Sequence, residues 1–389
     1  MKQGTHGILL AVTIICGTVV TACGPVEKPP IKIGVEGPMT GEWAYEGKGF
    51  RRAVLLLADQ VNEEGGLLDG RPVEVVVGDD RGDPEEAQRV ARRLIEEDVV
   101  AVVGAYNSDA TEAASEVYDT AGVLQITPSS TAIRLTEKGY TRFFRTCFCD
   151  DSQGEFAAEL MVRTLGKQRI ALVHDNTVYA KGLAEWAQHY IEELNGKAGT
   201  EAAVVLFTTI TPGQRDFTAL LEQLEASTAE VLYFTGYYPE GGLLVKQMKE
   251  TGLTNIQFIG GDAVNSPEFV ATAGPEAASG ALVTSAALIE DLRYPETEQF
   301  VADYEEAYGE RPMSAWILAA ADGFRLVRHA IAETSSTDPA TLAEFLRTLE
   351  DFPGITGPIV GYDEKGNRQG IGIVAYVVNE EGSRVLYQP

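Results

Sequence analysis

Val73-Glu74-Val75-Val76-Val77-Gly78-Asp79 is followed, three residues later, by Asp83-Pro84-Glu85-Glu86, and this junction decides the fold. The first run is a valine-rich strand. The second is a helix start: a capping aspartate, a proline at the first helical position and acids against the positive helix end. That helix is predicted to run to Glu97. Upstream, a strand is expected over Ile31–Gly37 and a helix over Tyr45–Glu64. Downstream come a strand at Val99–Ala105, a helix at Asp109–Ala121 and a strand at Val123–Thr127. Strand–helix alternation predicts a parallel sheet with helices on both faces. The pattern breaks near Phe143–Asp150 and restarts. Helices are predicted over Ser152–Leu165, Lys181–Leu194, Asp216–Ala226 and Gly241–Thr251. The strands between and after them are Arg169–Asp175, Ala202–Thr208, Glu230–Thr235 and Ile256–Gly260. Helices around Glu296–Tyr308, Ser314–Ala332 and Thr341–Leu349 precede a β-rich end from Pro358.

The chain has 389 residues, enough for two domains. Its 58 acidic and 31 basic residues give a net charge of −27, which argues against nucleic acid and anionic membrane surfaces as partners. Pairs such as Glu63-Glu64, Glu85-Glu86, Glu192-Glu193 and Glu305-Glu306 spread the acids over helix faces as a solvated surface.

The N-terminus has Lys2 and His6 before an apolar run from Ile8 to Val20, then Thr21-Ala22-Cys23. The run is too short for a spanning helix, which needs about 20 residues, and reads as a secretory signal over 1–22. A cysteine after Val20-Thr21-Ala22 resembles the bacterial lipoprotein box, which implies lipidation at Cys23. Residues 23–30, rich in proline, then form a tether to a membrane outside the cytoplasm. Cys147-Phe148-Cys149 leaves open a buried dithiol, a strained disulfide or metal and redox work.

Two α/β halves imply a cleft, and ligands of open α/β sheets sit beyond the carboxyl ends of the strands, at helix starts. The residues at those places are Met39-Thr40-Gly41, Tyr106-Asn107-Ser108, Pro128-Ser129-Ser130-Thr131, Asn176–Tyr179, Gly236-Tyr237-Tyr238-Pro239-Glu240 and Gly261-Asp262. Hydroxyls and free N–H groups suit a carboxylate, and an aspartate across the cleft suits an ammonium. The ligand expected is a zwitterion.

At these residues the chain resembles the leucine/isoleucine/valine-binding proteins of ABC importers. The resemblance rests on Gln125-Ile126-Thr127-Pro128-Ser129-Ser130-Thr131, Leu135-Thr136-Glu137-Lys138-Gly139-Tyr140, Phe144-Arg145-Thr146, Val173-His174-Asp175, Gly236-Tyr237-Tyr238-Pro239-Glu240 and Gly357-Pro358. It implies an α/β type I periplasmic-binding-protein fold, two doubly wound domains joined by three hinge crossings. These would fall near Thr146–Asp150, Val283–Ala286 and Thr356–Val360. The N-terminal lobe would then hold 31–147 plus 285–357, and the C-terminal lobe 148–284 plus 358–389.

By position, the resemblance implies that Ser108 bonds the ligand carboxylate, the Ser129 carbonyl receives the ammonium and Thr131 adds contacts to the same head group. Tyr179 and Tyr237 would close over the ligand, and Asp262 would be the counter-charge to the ammonium. Plain structural roles are open to each: cap, turn, loop acid or packed aromatic. Trp43 is either pocket wall or surface packing, and His174 is expected to be structural.

The chain departs from the family at Glu46, where the branched-chain binders have tyrosine, and at Tyr106, Asn107 and Ser314. The first-domain disulfide of the family has no cysteines here. The pocket wall of Trp43, Glu46, Tyr106 and Asn107 is therefore expected to be more polar than one for leucine. Glu46 either turns to solvent or meets a polar ligand side chain, and the second is favoured. The expected function is capture of an amino acid for an ABC permease, with no cofactor or metal and no catalytic constellation. The alternatives are a urea, amide or aromatic-acid binder, and a sensor that transports nothing.

Overall fold

The computed structural model describes Met1 and residues 28–388, with the backbone alone at 197–198. Residues 2–27, which carry the expected signal and Cys23, lie outside the described residues. No described helix is long and apolar enough to cross a membrane.

A five-stranded parallel sheet holds β1 (Ile31–Gly37), β2 (Val73–Asp79), β3 (Ala101–Val103), β4 (Leu124–Thr127) and β5 (Phe143–Arg145), in the order β2-β1-β3-β4-β5. Helices α1 (Ala44–Glu63), α2 (Pro84–Glu96) and α3 (Ser108–Ala121) connect them. The Asp83 side chain caps α2 by accepting from the Glu86 N–H at 2.8 Å. The central strands are buried on both faces, with Ile31, Ile33, Val35, Val103 and Ile126 in one cluster and Val102 against Val90 and Leu94 in another. This is why they read as continuous apolar runs.

The second sheet begins with parallel β6 (Arg169–His174), β7 (Ala203–Thr209), β8 (Val231–Phe234), β9 (Gln257–Gly260) and β10 (Leu282–Ser285). Helices α4 (Asp150–Glu159), α5 (Val178–Ala198), α6 (Thr218–Ser227), α7 (Tyr238–Glu250), α8 (Pro267–Ala273) and α9 (Pro275–Ala278) belong to this half. The chain then forms α10 (Pro295–Tyr308), α11 (Ala315–Thr334) and α12 (Pro339–Arg347), and α11 packs on α1. After the hairpin β11 (Gly361–Tyr362) and β12 (Arg368–Gln369), strands β13 (Val374–Val378) and β14 (Arg384–Leu386) complete the order β14-β13-β10-β9-β8-β6-β7.

Three sequence expectations shift. The expected break at Phe143–Asp150 contains β5, a three-residue strand too short to show periodicity. The start of α5 moves forward to Val178 because the Thr177 hydroxyl accepts the Ala180 N–H at 3.2 Å, and that of α7 moves to Tyr238, with Pro239 in its first turn. The third crossing lies beyond Thr356–Val360, since the β11–β12 hairpin stays with the first sheet. There the Arg145 N–H donates to the Gly366 carbonyl at 3.1 Å, and the Tyr362 ring meets Phe144 at 5.0 Å. The chain enters the second sheet only at Val374.

Candidate ligand site between the lobes

Strand order reverses between β1 and β3 in the first sheet and between β6 and β8 in the second. Crevices open at such switch points, and the segments leaving these strands face each other. Trp43 and Tyr106–Ser108 come from the first lobe, Tyr179 and Tyr237 from the second. The Trp43 ring lies 5.3 Å from Tyr237, Tyr106 6.3 Å from Tyr237, and Tyr179 5.4 Å from Tyr237. Trp43 is thus part of an inter-lobe aromatic row, and its Nε1 is buried without a partner. Gly82, at φ +71°, makes room for it: a Cβ there would lie 2.5 Å from the indole and 2.8 Å from Asn107 Oδ1.

One end of the row is anionic. Asp262, buried just after β9, accepts from the Tyr179 hydroxyl at 2.8 Å. Gly261 allows this approach, because a Cβ there would sit 2.6 Å from the Tyr179 oxygen. Burial pushes the Asp262 carboxyl up to about 6, opposed by the Tyr179 and Gln153 side chains. On the first lobe, Ser108, Ser129 and Thr131 are all buried. Ser108 begins α3, and its Oγ lies 3.5 Å from the Ala132 N–H, while the Ser129 hydroxyl donates to the Tyr106 carbonyl at 3.1 Å. Thr131 Oγ1 is a fully buried hydroxyl without a hydrogen-bond partner.

Arg145 holds this loop. Its guanidinium donates to the carbonyls of Ser130 (2.9 Å) and Ala132 (3.1 Å) and to the Thr136 hydroxyl (3.1 Å). Asn107 sits beside Tyr237, and its side chain lowers the phenol pKa that burial raises. Its Oδ1 is unpartnered. Glu46 is buried in the first turn of α1, so the solvent-facing alternative does not hold.

Two acids near the site escaped the sequence reading. Asp150, the first residue of α4, is fully buried with neither oxygen hydrogen-bonded. It lies beside Thr131, and burial, with Asp262 nearby, holds its carboxyl well above the usual range. Asp109 accepts the Val178 N–H across the lobes. The available signal was an acid in the first turn of a helix next to a predicted strand end. Conversely, Glu240 is turned to structure: it accepts the Gly213 N–H at 2.7 Å. His174 Nδ1 likewise accepts the Asn176 N–H at 3.0 Å. Cys147 and Cys149 are buried free thiols, so the strained disulfide is not formed. No cluster of potential metal ligands occurs among the described residues.

This fold and its inter-lobe site define a two-lobed solute-binding protein. The chain belongs to the periplasmic binding protein family, whose model matches residues 30–380, and to its branched-chain amino-acid-binding branch. It is 36% identical over 387 residues to an amino acid binding protein of Pseudomonas aeruginosa, covering 98% of each chain. It is 33% identical over 386 residues to the leucine-, isoleucine-, valine-, threonine- and alanine-binding protein of the same organism, covering 99% of each. Among solved structures, the branched-chain amino acid substrate-binding protein of Streptococcus pneumoniae with isoleucine matches at TM-score 0.81 and 29% identity, over 92% of this chain and 100% of that one.

Proposed function

We propose that the protein captures a free α-amino acid between its lobes and delivers it to an ABC permease. The observation that carries this is the buried Asp262 carboxylate of the second lobe, held by Tyr179 at 2.8 Å, together with the buried hydroxyls of Ser108, Ser129 and Thr131 on the first. An ammonium answers the aspartate, and a carboxylate answers the hydroxyls and the N-terminus of α3. The Ser129 carbonyl and the Thr131 hydroxyl complete the head-group contacts in this reading, and Tyr179 and Tyr237 cover the ligand. Because the ligand touches both lobes, it favours the closed arrangement over the open one. Relatives that bind leucine, isoleucine, valine, threonine and alanine support the same class of ligand. Family membership supports work outside the cytoplasm.

A lipid at Cys23 would keep the protein beside its permease, and Cys23→Ser tests this: a mature, membrane-bound product from that variant refutes the anchor. The ligand reading is tested by thermal unfolding with the twenty amino acids, urea, short amides and aromatic acids. A ligand that binds only the folded state raises the midpoint. A shift from amino acids alone supports the reading, and a shift from aromatic acids or amides alone overturns it.

A further inference from the structure

We infer that Glu46 makes the cleft select amino acids whose side chain carries a hydrogen-bond donor. The inference rests on the amino-acid reading above and adds the chemistry of the side-chain end of the site.

The aromatic row fixes the direction. Asp262 and Tyr179 lie at one end. Tyr237 packs on Tyr179 and on Tyr106, and the Tyr106 ring lies 6.1 Å from Phe50, which follows Glu46 by one turn on α1. A ligand with its ammonium at Asp262 and its length along the row therefore directs its side chain toward Glu46. That carboxyl belongs to the first turn of α1, is 1% exposed, and its Oε2 has no hydrogen-bond partner.

Both lobes pack around the segment that carries it. From the first lobe, the Ser314 hydroxyl faces it, and the Met313 N–H donates to the neighbouring Tyr45 hydroxyl at 3.2 Å. From the second, the Tyr238 hydroxyl donates to the Glu42 carbonyl at 2.7 Å, bringing α7 against the start of α1. The charged groups facing Glu46 there are Glu268 on α8 and Arg384 on β14. Arg384 also serves Asn265, its Nη1 donating to the Asn265 carbonyl at 2.9 Å and to its side-chain oxygen at 2.8 Å. An isobutyl group against Glu46 would leave a stripped oxygen facing hydrocarbon. A hydroxyl, carboxamide or ammonium would bond to it. A site built to bond a donor discriminates strongly against the analogue that lacks one.

The test is calorimetric titration of the full chain with leucine, threonine, glutamine and lysine. It is done for the parent, Glu46→Gln and Glu46→Leu, each first checked for cooperative unfolding. At least one donor-bearing amino acid should bind the parent about tenfold or more tighter than leucine. Glu46→Leu should narrow or invert that ratio. Glu46→Gln should weaken lysine more than threonine or glutamine, which separates an ammonium from a neutral donor. Leucine binding the parent tightest overturns the inference and leaves the amino-acid reading standing. So does a Glu46→Leu variant that binds all four with unchanged ratios. Binding of no amino acid to the parent overturns both.

Discussion

The Asp109 carboxylate of the first lobe accepts the Val178 N–H of the second, with oxygens at 3.1 and 3.0 Å. Val178 is the first residue of α5, a helix of 21 residues, so an anion here also meets the positive end of the helix. The contact joins the lobes beside the proposed ligand site, between the neighbours of Ser108 and Tyr179, and separating the lobes would break it. Asp109 therefore biases closure and leaves selectivity to other groups. Replacement by Asn keeps the shape and removes the charge. It should weaken every ligand alike by about 1 kcal/mol, roughly fivefold, mostly through faster release. Stopped-flow dissociation rates across several ligands check this, and a change in ligand ranking would contradict it.

Asp262→Asn should act on the head group instead. Removing one partner of a buried charged pair typically costs about 2–5 kcal/mol, so α-amino acid affinity should fall thirtyfold or more. Ser108→Ala should lose about 1–3 kcal/mol. Titration calorimetry reads both, and an Asp262→Asn variant that binds as tightly as the parent removes the ammonium from the site.

Buried carboxyls set an unusual dependence on pH. Burial raises Asp262 to about 6, Asp80 to about 7 and Glu46 to about 7. The unfolded chain titrates these groups near 4. Between about pH 4 and 7 the folded state thus holds more protons, and stability falls as pH rises through that window. Denaturant midpoints without ligand should be higher at pH 5 than at pH 8. Ligand affinity has the opposite sign: an ammonium favours ionised Asp262, so binding strengthens as pH rises through about 6 and releases protons there. Calorimetry in two buffers of different ionisation heat measures that release.

The order of strands and helices was legible wherever an element was long enough to show a period, as in Val73–Asp79 or Pro84–Glu96. The position of Tyr179, Tyr237 and Asp262 beside the inter-lobe crevice was legible because strand ends can be located and crevices open beyond them; their contacts with a ligand are proposed. What failed depends on contacts distant in sequence. The β11–β12 hairpin stays with the first sheet through a bond between Arg145 and Gly366. Asp150 is buried between a first-lobe loop and α5, where a Cβ on Gly182 would lie 3.5 Å from its Oδ2. No local pattern encodes either.

Arg145 provides the last prediction. It is fully buried, and its three bonds hold the carbonyls on both sides of Thr131 together with the Thr136 hydroxyl. A guanidinium offers a rigid fork of donors that one ammonium cannot copy, so lysine is no conservative replacement here. Each buried acceptor left unsatisfied costs about 1–3 kcal/mol. Arg145→Lys should therefore destabilise the fold by several kcal/mol and loosen the loop that presents Ser129 and Thr131. Affinity should fall although Arg145 is assigned no ligand contact. Hydrogen exchange separates loop loosening from general destabilisation: the amides of Ser130–Ala132 should lose more protection than those of β6 in the distant sheet. Equal loss in both places, with affinity unchanged, would make Arg145 a stability residue with no part in positioning the site.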